Sequence, residues 1–314
     1  MRFIKDYKDG DRVSDIYLCK HKTSAVTKNG KSYETALLQD KTGTIEAKIW
    51  DPNSAGIVDF DDLDYVEVYG DVTNFQGMLQ ISVKRTRIAQ PGEYNPANYL
   101  PVSEYDPDEM YAEITGMIDK TENVYLKKLL QSIFVEDEAF ISLFRGSSAA
   151  KTVHHGFVGG LMEHTLSVAK LCEFYCIRYR KLNRDLLITA ALCHDIGKTR
   201  ELSSFPENDY TDEGNFLGHI VMGVEMLHDK IKDIDGFPDR LASELKHCII
   251  SHHGELEYGS PKKPAIIEAV ALNLADNTDA KMETFTEILN NATETGWLGY
   301  NRILETNITP TRLG

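Results

Sequence analysis

The feature that most constrains this chain is a change of hydrophobic period near residue 90. Before it, apolar and polar residues alternate, as in Thr44-Ile45-Glu46-Ala47-Lys48-Ile49-Trp50 and Tyr65-Val66-Glu67-Val68-Tyr69. That is the period of a half-buried strand. After it, apolar residues recur every three or four positions, the period of a helix. Between the two regimes lie Pro91-Gly92, Pro96, Pro101 and Pro107, which interrupt either pattern. A chain of 314 residues is about twice the usual length of one domain. The sequence therefore predicts a β domain over 1–90, a proline-rich linker over 91–107 and an all-α domain over 108–314.

In the first part, strands are predicted over Arg12–Lys20, Ser32–Gln39, Thr44–Trp50, Tyr65–Val72 and Leu79–Ile88, separated by turn signals such as Asp40-Lys41-Thr42-Gly43. A short helical insert is expected around Asn53–Val58. Five short strands in this arrangement point to a Greek-key barrel of the OB type, although other small five-stranded barrels or sandwiches share the pattern.

The helical part holds nine of the ten histidines, and their positions are unusual. Counting back from His194 by helical steps meets Ala191, Ala190 and Leu187, with Asp195 beside it. His164 shares a stripe with Leu161, Val168 and Leu171, and His252 with Leu245, Cys248 and Ile249. His219 lies above Met222, Gly223 and Met226, and Asp276 continues Ala269 and Leu272. A single buried histidine is an ordinary hydrogen-bonded core residue. A buried carboxylate is very costly without a cation, and several such groups in one domain are tolerable only if something positive neutralises them. A metal centre does so, and two ions about 3.5–4 Å apart sharing a carboxylate need roughly this number of ligands. Mixed imidazole and carboxylate donors suit manganese, iron, cobalt or zinc better than magnesium or calcium. Such ions activate water and neutralise phosphate oxygens, so the residues alone point to a phosphohydrolase.

Charge qualifies this without overturning it. The net charge is −15, divided as −2 over residues 1–95 and −13 over the remainder. Affinity for polyanions comes mostly from Lys and Arg, but carboxylates gathered around cations also raise the acidic count. The 42% hydrophobic content excludes a mainly disordered chain. No apolar run approaches the ~20 residues of a membrane span, and Met1-Arg2-Phe3-Ile4-Lys5-Asp6 opens no signal peptide. A cytoplasmic protein with no membrane partner is expected, as a monomer or a homo-oligomer. Five scattered cysteines with no C-x-x-C pair argue against a disulfide framework and a zinc ribbon, and Cys172 and Cys176, one turn apart, read as small buried hydrophobes.

The order His164, His194-Asp195, Asp276 resembles the H…HD…D pattern of the HD-domain metal-dependent phosphohydrolases. The segments from His154 to Thr165, Cys193-His194-Asp195-Ile196-Gly197-Lys198, Gly218-His219-Ile220 and Ser251-His252-His253-Gly254-Glu255 are similar to those of the YhaM-type 3′-to-5′ exoribonucleases. That family joins an N-terminal OB domain to an HD domain, so the resemblance covers all but the last dozen residues. It implies a first metal on His164, His194, Asp195 and Asp276. Asp195 would bridge to a second metal held by His219 and by His252 or His253, of which His252 fits the apolar stripe better. Lys198 becomes a candidate phosphate contact, or else a solvated helix-end lysine. His154 and His155 become candidate substrate groups.

If the barrel is an OB fold, strands two and three build its ligand face. Tyr33, Lys48 and Trp50 come from those strands and Phe75 from a later loop; aromatic rings there stack on bases. Period-2 alternation leaves open whether Tyr33 and Trp50 face outward or form barrel core. Lys84, Arg85 and Arg87 are the densest basic cluster, as a phosphate contact or a solvated strand face. The expected function is a metal-dependent 3′-to-5′ exonuclease releasing nucleoside monophosphates from single-stranded RNA, with single-stranded DNA as a further substrate. The alternatives are an HD enzyme acting on a small nucleotide with the barrel regulatory, and a non-enzymatic single-strand-binding protein.

Overall fold

A computed structural model describes residues 1–27, 29–75, 77–151, 155–290, 292, 296–302 and 304–311. His154, singled out above, lies outside these residues. The chain forms two compact units, Met1–Pro101 and Val102–Gly314.

The first unit is a closed barrel of β1 (Arg12–Val26), β2 (Ser32–Asp40), β3 (Gly43–Ile49), β4 (Tyr65–Phe75) and β5 (Met78–Ile88). Their order is β1-β2-β3-β5-β4, with β4 pairing back onto β1, and every pairing is antiparallel except β3 with β5. That is the five-stranded OB arrangement. Alternation turns Leu38, Ile45, Ala47, Ile49, Val66, Val68 and Ile81 inward, where Tyr17 joins them. Burying each larger aliphatic side chain contributes about 1.5–3 kcal/mol. The hydroxyls of Tyr7 and Tyr17 satisfy each other at 2.7 Å inside this apolar volume.

Two expectations are corrected here. No helix forms over Asn53–Val58; Ser54 and Ile57 donate to Asp51 and Ser54 in two successive turns instead. The proline-rich stretch is part of the first unit as far as Pro101, because its aromatics have a partner. Tyr94 stacks on Tyr65 at 3.8 Å between ring centroids, and Tyr99 meets both rings edge-on.

The second unit contains α1 (Pro107–Asp119), α2 (Val124–Phe134), α3 (Glu138–Gly146), α4 (Gly160–Arg178), α5 (Arg184–Cys193), α6 (Lys198–Glu201), α7 (Asp212–Lys232), α8 (Asp239–Ile250) and α9 (Ile267–Asn290). A small hairpin, β6 (Gly299–Asn301) with β7 (Thr306–Ile308), follows. Side chains cap many of the helices: Asp106 for α1, Asn123 for α2, Asp137 for α3, Asn183 for α5 and Thr211 for α7. Each such cap contributes about 1 kcal/mol by satisfying amides that the helix leaves open. α5 is buried on every side from Leu186 to Cys193, so the segment that ends in His194 and Asp195 is the innermost of the unit. Among the described residues no helix is long and apolar enough to cross a membrane, and the five cysteines are free thiols.

Candidate functional site

Five helical segments deliver ionisable groups to one interior place. α4 brings His164; the end of α5 brings His194 and Asp195; α7 brings His219; the turn after α8 brings His252 and His253; α9 brings Asp276. Two glycines permit the convergence. Gly218, at φ +72°, breaks the helical path of α7 just before His219, a conformation that residues with a Cβ rarely adopt. Gly197 lets α7 come close behind Asp195: a Cβ there would lie 2.0 Å from the His219 carbonyl oxygen.

The two oxygens of Asp195 face different imidazole groups. Oδ2 lies 3.3 Å from His194 Nε2 and 3.5 Å from His164 Nε2, while Asp276 Oδ1 is 3.2 Å from His164 Nε2. Oδ1 lies 3.5 Å from His219 Nε2 and 3.6 Å from His252 Nε2. His164, His194 and Asp276 form one compact group of metal-binding atoms, and His219, His252 and His253 form another. Asp195 Oδ1, His219 Nε2 and His252 Nε2 are buried with no hydrogen-bond partner. An unpartnered buried polar atom costs about 1–3 kcal/mol, and three aimed at one point suit a shared divalent cation. These donors therefore fit divalent metal binding.

The opposite edge of every ring is fixed. His164 Nδ1 bonds Asp279 at 2.7 Å, His194 Nδ1 the Ala191 carbonyl at 2.7 Å, and His252 Nδ1 the Ile249 carbonyl at 2.6 Å. His219 Nδ1 meets Glu201 at 3.0 Å, and His253 Nδ1 meets the Tyr258 carbonyl at 2.7 Å. With Nδ1–H donating outward, Nε2 of His219 and of His252 keeps a lone pair for the centre, the arrangement that orients metal-binding histidines, whereas Nε2 of His164 and Nε2 of His194 lie 3.1 Å apart, within hydrogen-bond distance of each other.

The electrostatics differ between the two groups. Burial works against a charge on His164, yet the carboxylates of Asp276 and Asp279 outweigh it and push its pKa up to about 9. Burial opposes ionisation of Asp195 too, but the Lys198 ammonium and His194 hold it well below the usual carboxylate range. His252 moves the other way: burial, with neighbouring His253, keeps it neutral well below the ordinary histidine range. A neutral imidazole is the form that binds metal.

Among the remaining sequence candidates, Lys198 is not a solvated helix-end lysine. Its ammonium lies 2.7 Å from Asp195 Oδ2, and its side chain is only 13% exposed. His155 is buried, with Nε2 3.0 Å from Asp279 and backbone φ +60°. Both His252 and His253 belong to the second group. Sequence reasoning missed Asp279 and Glu201, which brace His164 and His219. Asp279 follows Asp276 by one helical turn, and that spacing was the available signal.

On the barrel, Tyr33 and Trp50 are not core. They stack at 5.5 Å on the outer face of β2 and β3, with Trp50 51% exposed. Lys48 Nζ lies 5.8 Å over the Tyr33 ring and also meets Glu46 at 2.6 Å and the Thr35 hydroxyl at 2.9 Å. Phe75 and Met78 are exposed at the β4–β5 turn. The register of β4 and β5 slips between Tyr69, opposite Arg85, and Gly70, opposite Val83. Lys84 is thus an extra residue, and both Lys84 and Arg85 are exposed. Lys84 pairs with Asp71 and Arg87 with Glu67 and Glu93; Arg85 has no ion pair among the described residues.

Comparison with known proteins matches an HD-domain family model to residues 161–281. The 3′-5′ exoribonuclease YhaM of Bacillus subtilis is 34% identical over 89% of this chain and 88% of its own length. YhaM of Listeria welshimeri is 33% identical over 91% and 90%. Among solved structures, the second OB-fold domain of replication protein A from Methanococcus maripaludis is 21% identical, covering 30% of this chain and 96% of that one, with a TM-score of 0.22. The HD domain of the phosphodiesterase PgpH from L. monocytogenes is 19% identical, covering 55% and 76%, with a TM-score of 0.27.

Proposed function

We propose a reaction for this chain on one premise: it belongs to the YhaM family of 3′-5′ exoribonucleases. It removes nucleoside monophosphates from the 3′ end of single-stranded RNA by metal-dependent hydrolysis, and single-stranded DNA is a substrate of the same chemistry. Two divalent ions serve the reaction. His164, His194, Asp195 and Asp276 hold the first; Asp195, His219, His252 and His253 hold the second. Manganese is the proposed ion, and iron, cobalt and zinc suit the same donors. Ions of this class supply an activated water near neutral pH and neutralise phosphoryl oxygens.

The chain's own groups complete the arrangement. Asp195 fixes the spacing by offering one oxygen to each group of imidazoles. Lys198, kept as an ammonium by Asp195 and nearby carboxylates despite its burial, stands ready to bind a phosphate oxygen of the scissile bond. On the barrel, Tyr33 and Trp50 stack on bases, and Lys48, Lys84 and Arg85 follow the backbone. The observation that carries this reading is the divided carboxylate of Asp195, whose Oδ1 is buried and unpartnered between His219 and His252.

The test uses labelled oligoribonucleotides with free and with blocked 3′ ends, incubated with the protein in manganese or in chelator. Monophosphates should appear only from the free end and only with metal. Equal cleavage of blocked chains, or undiminished cleavage in chelator, would overturn the proposal.

A further inference from the structure

The metal-binding groups are not equally shut off from water. His164, His194, His252 and Asp195 are buried, whereas His219, His253 and Asp276 are each partly exposed. Solvent therefore reaches the centre along the edge where those three lie, the rings of His219 and His253 standing 5.2 Å apart between centroids. A 3′ end has to come in past that edge.

His253 ties the edge to the turn that follows it. Its Nδ1–H donates to the Tyr258 carbonyl at 2.7 Å. The turn also closes on itself: Tyr258 N–H donates to the Glu255 carbonyl at 3.1 Å and Gly259 N–H to that of Leu256 at 3.1 Å. Gly259, at φ +90°, ends it in the left-handed region. The backbone of Tyr258 is thus held by a histidine of the second group. Its side chain is not held: Tyr258 is 69% exposed, and among the described residues no ring contact or hydrogen bond engages it.

A single exposed ring is ordinary on a protein surface. One anchored beside the metal-binding groups, at the edge open to solvent, is within reach of a nucleotide whose phosphate lies on them. Charge is a poor means of holding the base end of that nucleotide, since residues 96–314 carry −13. An enzyme that steps along a chain also meets a different base at each turnover. A π-face suits both conditions, because every base stacks and stacking is tolerant of sequence.

We propose that Tyr258 stacks on the base of the 3′-terminal nucleotide and holds it while the phosphodiester lies at the metal-binding groups. Resting on the 3′-end hydrolysis proposed above, this contact is the hold on the residue to be released. The ring moves no proton and binds no ion. A stack made equally before and during bond breaking is uniform binding, so it acts on KM and not on kcat.

Steady-state cleavage of a short oligoribonucleotide in manganese, with a normal or an abasic 3′-terminal residue, tests the stack. Tyr258→Ala should raise KM for the normal end about 5- to 100-fold with kcat little changed, and Tyr258→Phe should behave as the wild type. The abasic end should cost the wild type a similar factor and cost Tyr258→Ala almost nothing further, because ring and base are two halves of one contact. Metal content and melting temperature should match the wild type; if alanine disturbs the turn, Tyr258→Leu, bulky but without a π-face, carries the same expectation. A wild-type KM in the folded variant, or an equal abasic penalty in both proteins, would overturn the stack and leave the metal-dependent 3′-end reaction standing. Cleavage that ignores a blocked 3′ end would fell that reaction and the terminal contact with it.

Discussion

The helical centre and the outer face of the barrel treat water in opposite ways. In the helical unit, His194 and His252 are sealed from solvent, and Asp195 and His164 are 2% exposed. Charge there is held by other charges and by fixed carbonyls. On the barrel, Trp50 is 51% exposed and Phe75 58%, and the exposed Lys84 pairs with Asp71 at the surface. A buried charge without compensation costs several kcal/mol, so the helical groups are tightly coupled and removing one is felt by all. An exposed stacking ring contributes its own increment and little more. The difference teaches that damage in the first region should be collective and damage in the second additive.

Asp195→Ala puts the greatest strain on that contrast. Losing the carboxylate that faces both groups of imidazoles should lower the rate of RNA hydrolysis about a thousandfold or more. Metal content per folded chain should drop with it, and full activity with full metal would end the comparison. Glu201→Gln acts one step further out, since Glu201 accepts both the ring and the backbone N–H of His219. It should weaken manganese affinity about 10–100-fold while the protein stays folded, read from activity against free manganese.

Trp50→Ala sharpens the other side. It should cost about 1–3 kcal/mol of affinity for a long single strand, with metal content and cleavage of a very short substrate unchanged. A fall in metal content would show that the two regions are not independent. The smallest effect belongs to Arg85→Ala. If Arg85 meets one phosphate, the slope of log affinity against log salt should flatten by about 0.7 for a single strand, and an unchanged slope would remove Arg85 from the binding face.

The two regions also differ in how much of each is legible in the sequence. An imidazole or carboxylate in an apolar helical stripe is an anomaly, and His164, His194, His219, His252 and Asp276 each announced themselves that way. Tyr33 and Trp50 did not, because a strand has two faces and an aromatic ring suits either. The braces were harder still. Asp279 and Glu201 are ordinary acidic residues in sequence and matter only because folding sets them against His164 and His219. The five strands and the barrel type are legible in turns and alternation, whereas the extra residue at Lys84 depends on cross-strand register, which no local pattern reports. The strap up to Pro101 has the sequence of a linker because prolines signal irregular backbone. Prolines do not signal whether that backbone is packed, and Tyr94 stacked on Tyr65, with Tyr99 edge-on to both, decides that here.

The segments that meet around Asp195 stretch from His164 to Asp276, and nothing holds them together once the helices separate. The unfolded chain therefore has no comparable grip on an ion, and every ion bound to the native state deepens that state alone. At a free concentration one hundred times its dissociation constant, one ion adds about 2.7 kcal/mol, against a total of about 5–15 kcal/mol for a typical domain. Metal supply thereby becomes a determinant of how long the molecule lasts: a cell short of the ion would lose copies to proteolysis as well as turnover from those that remain.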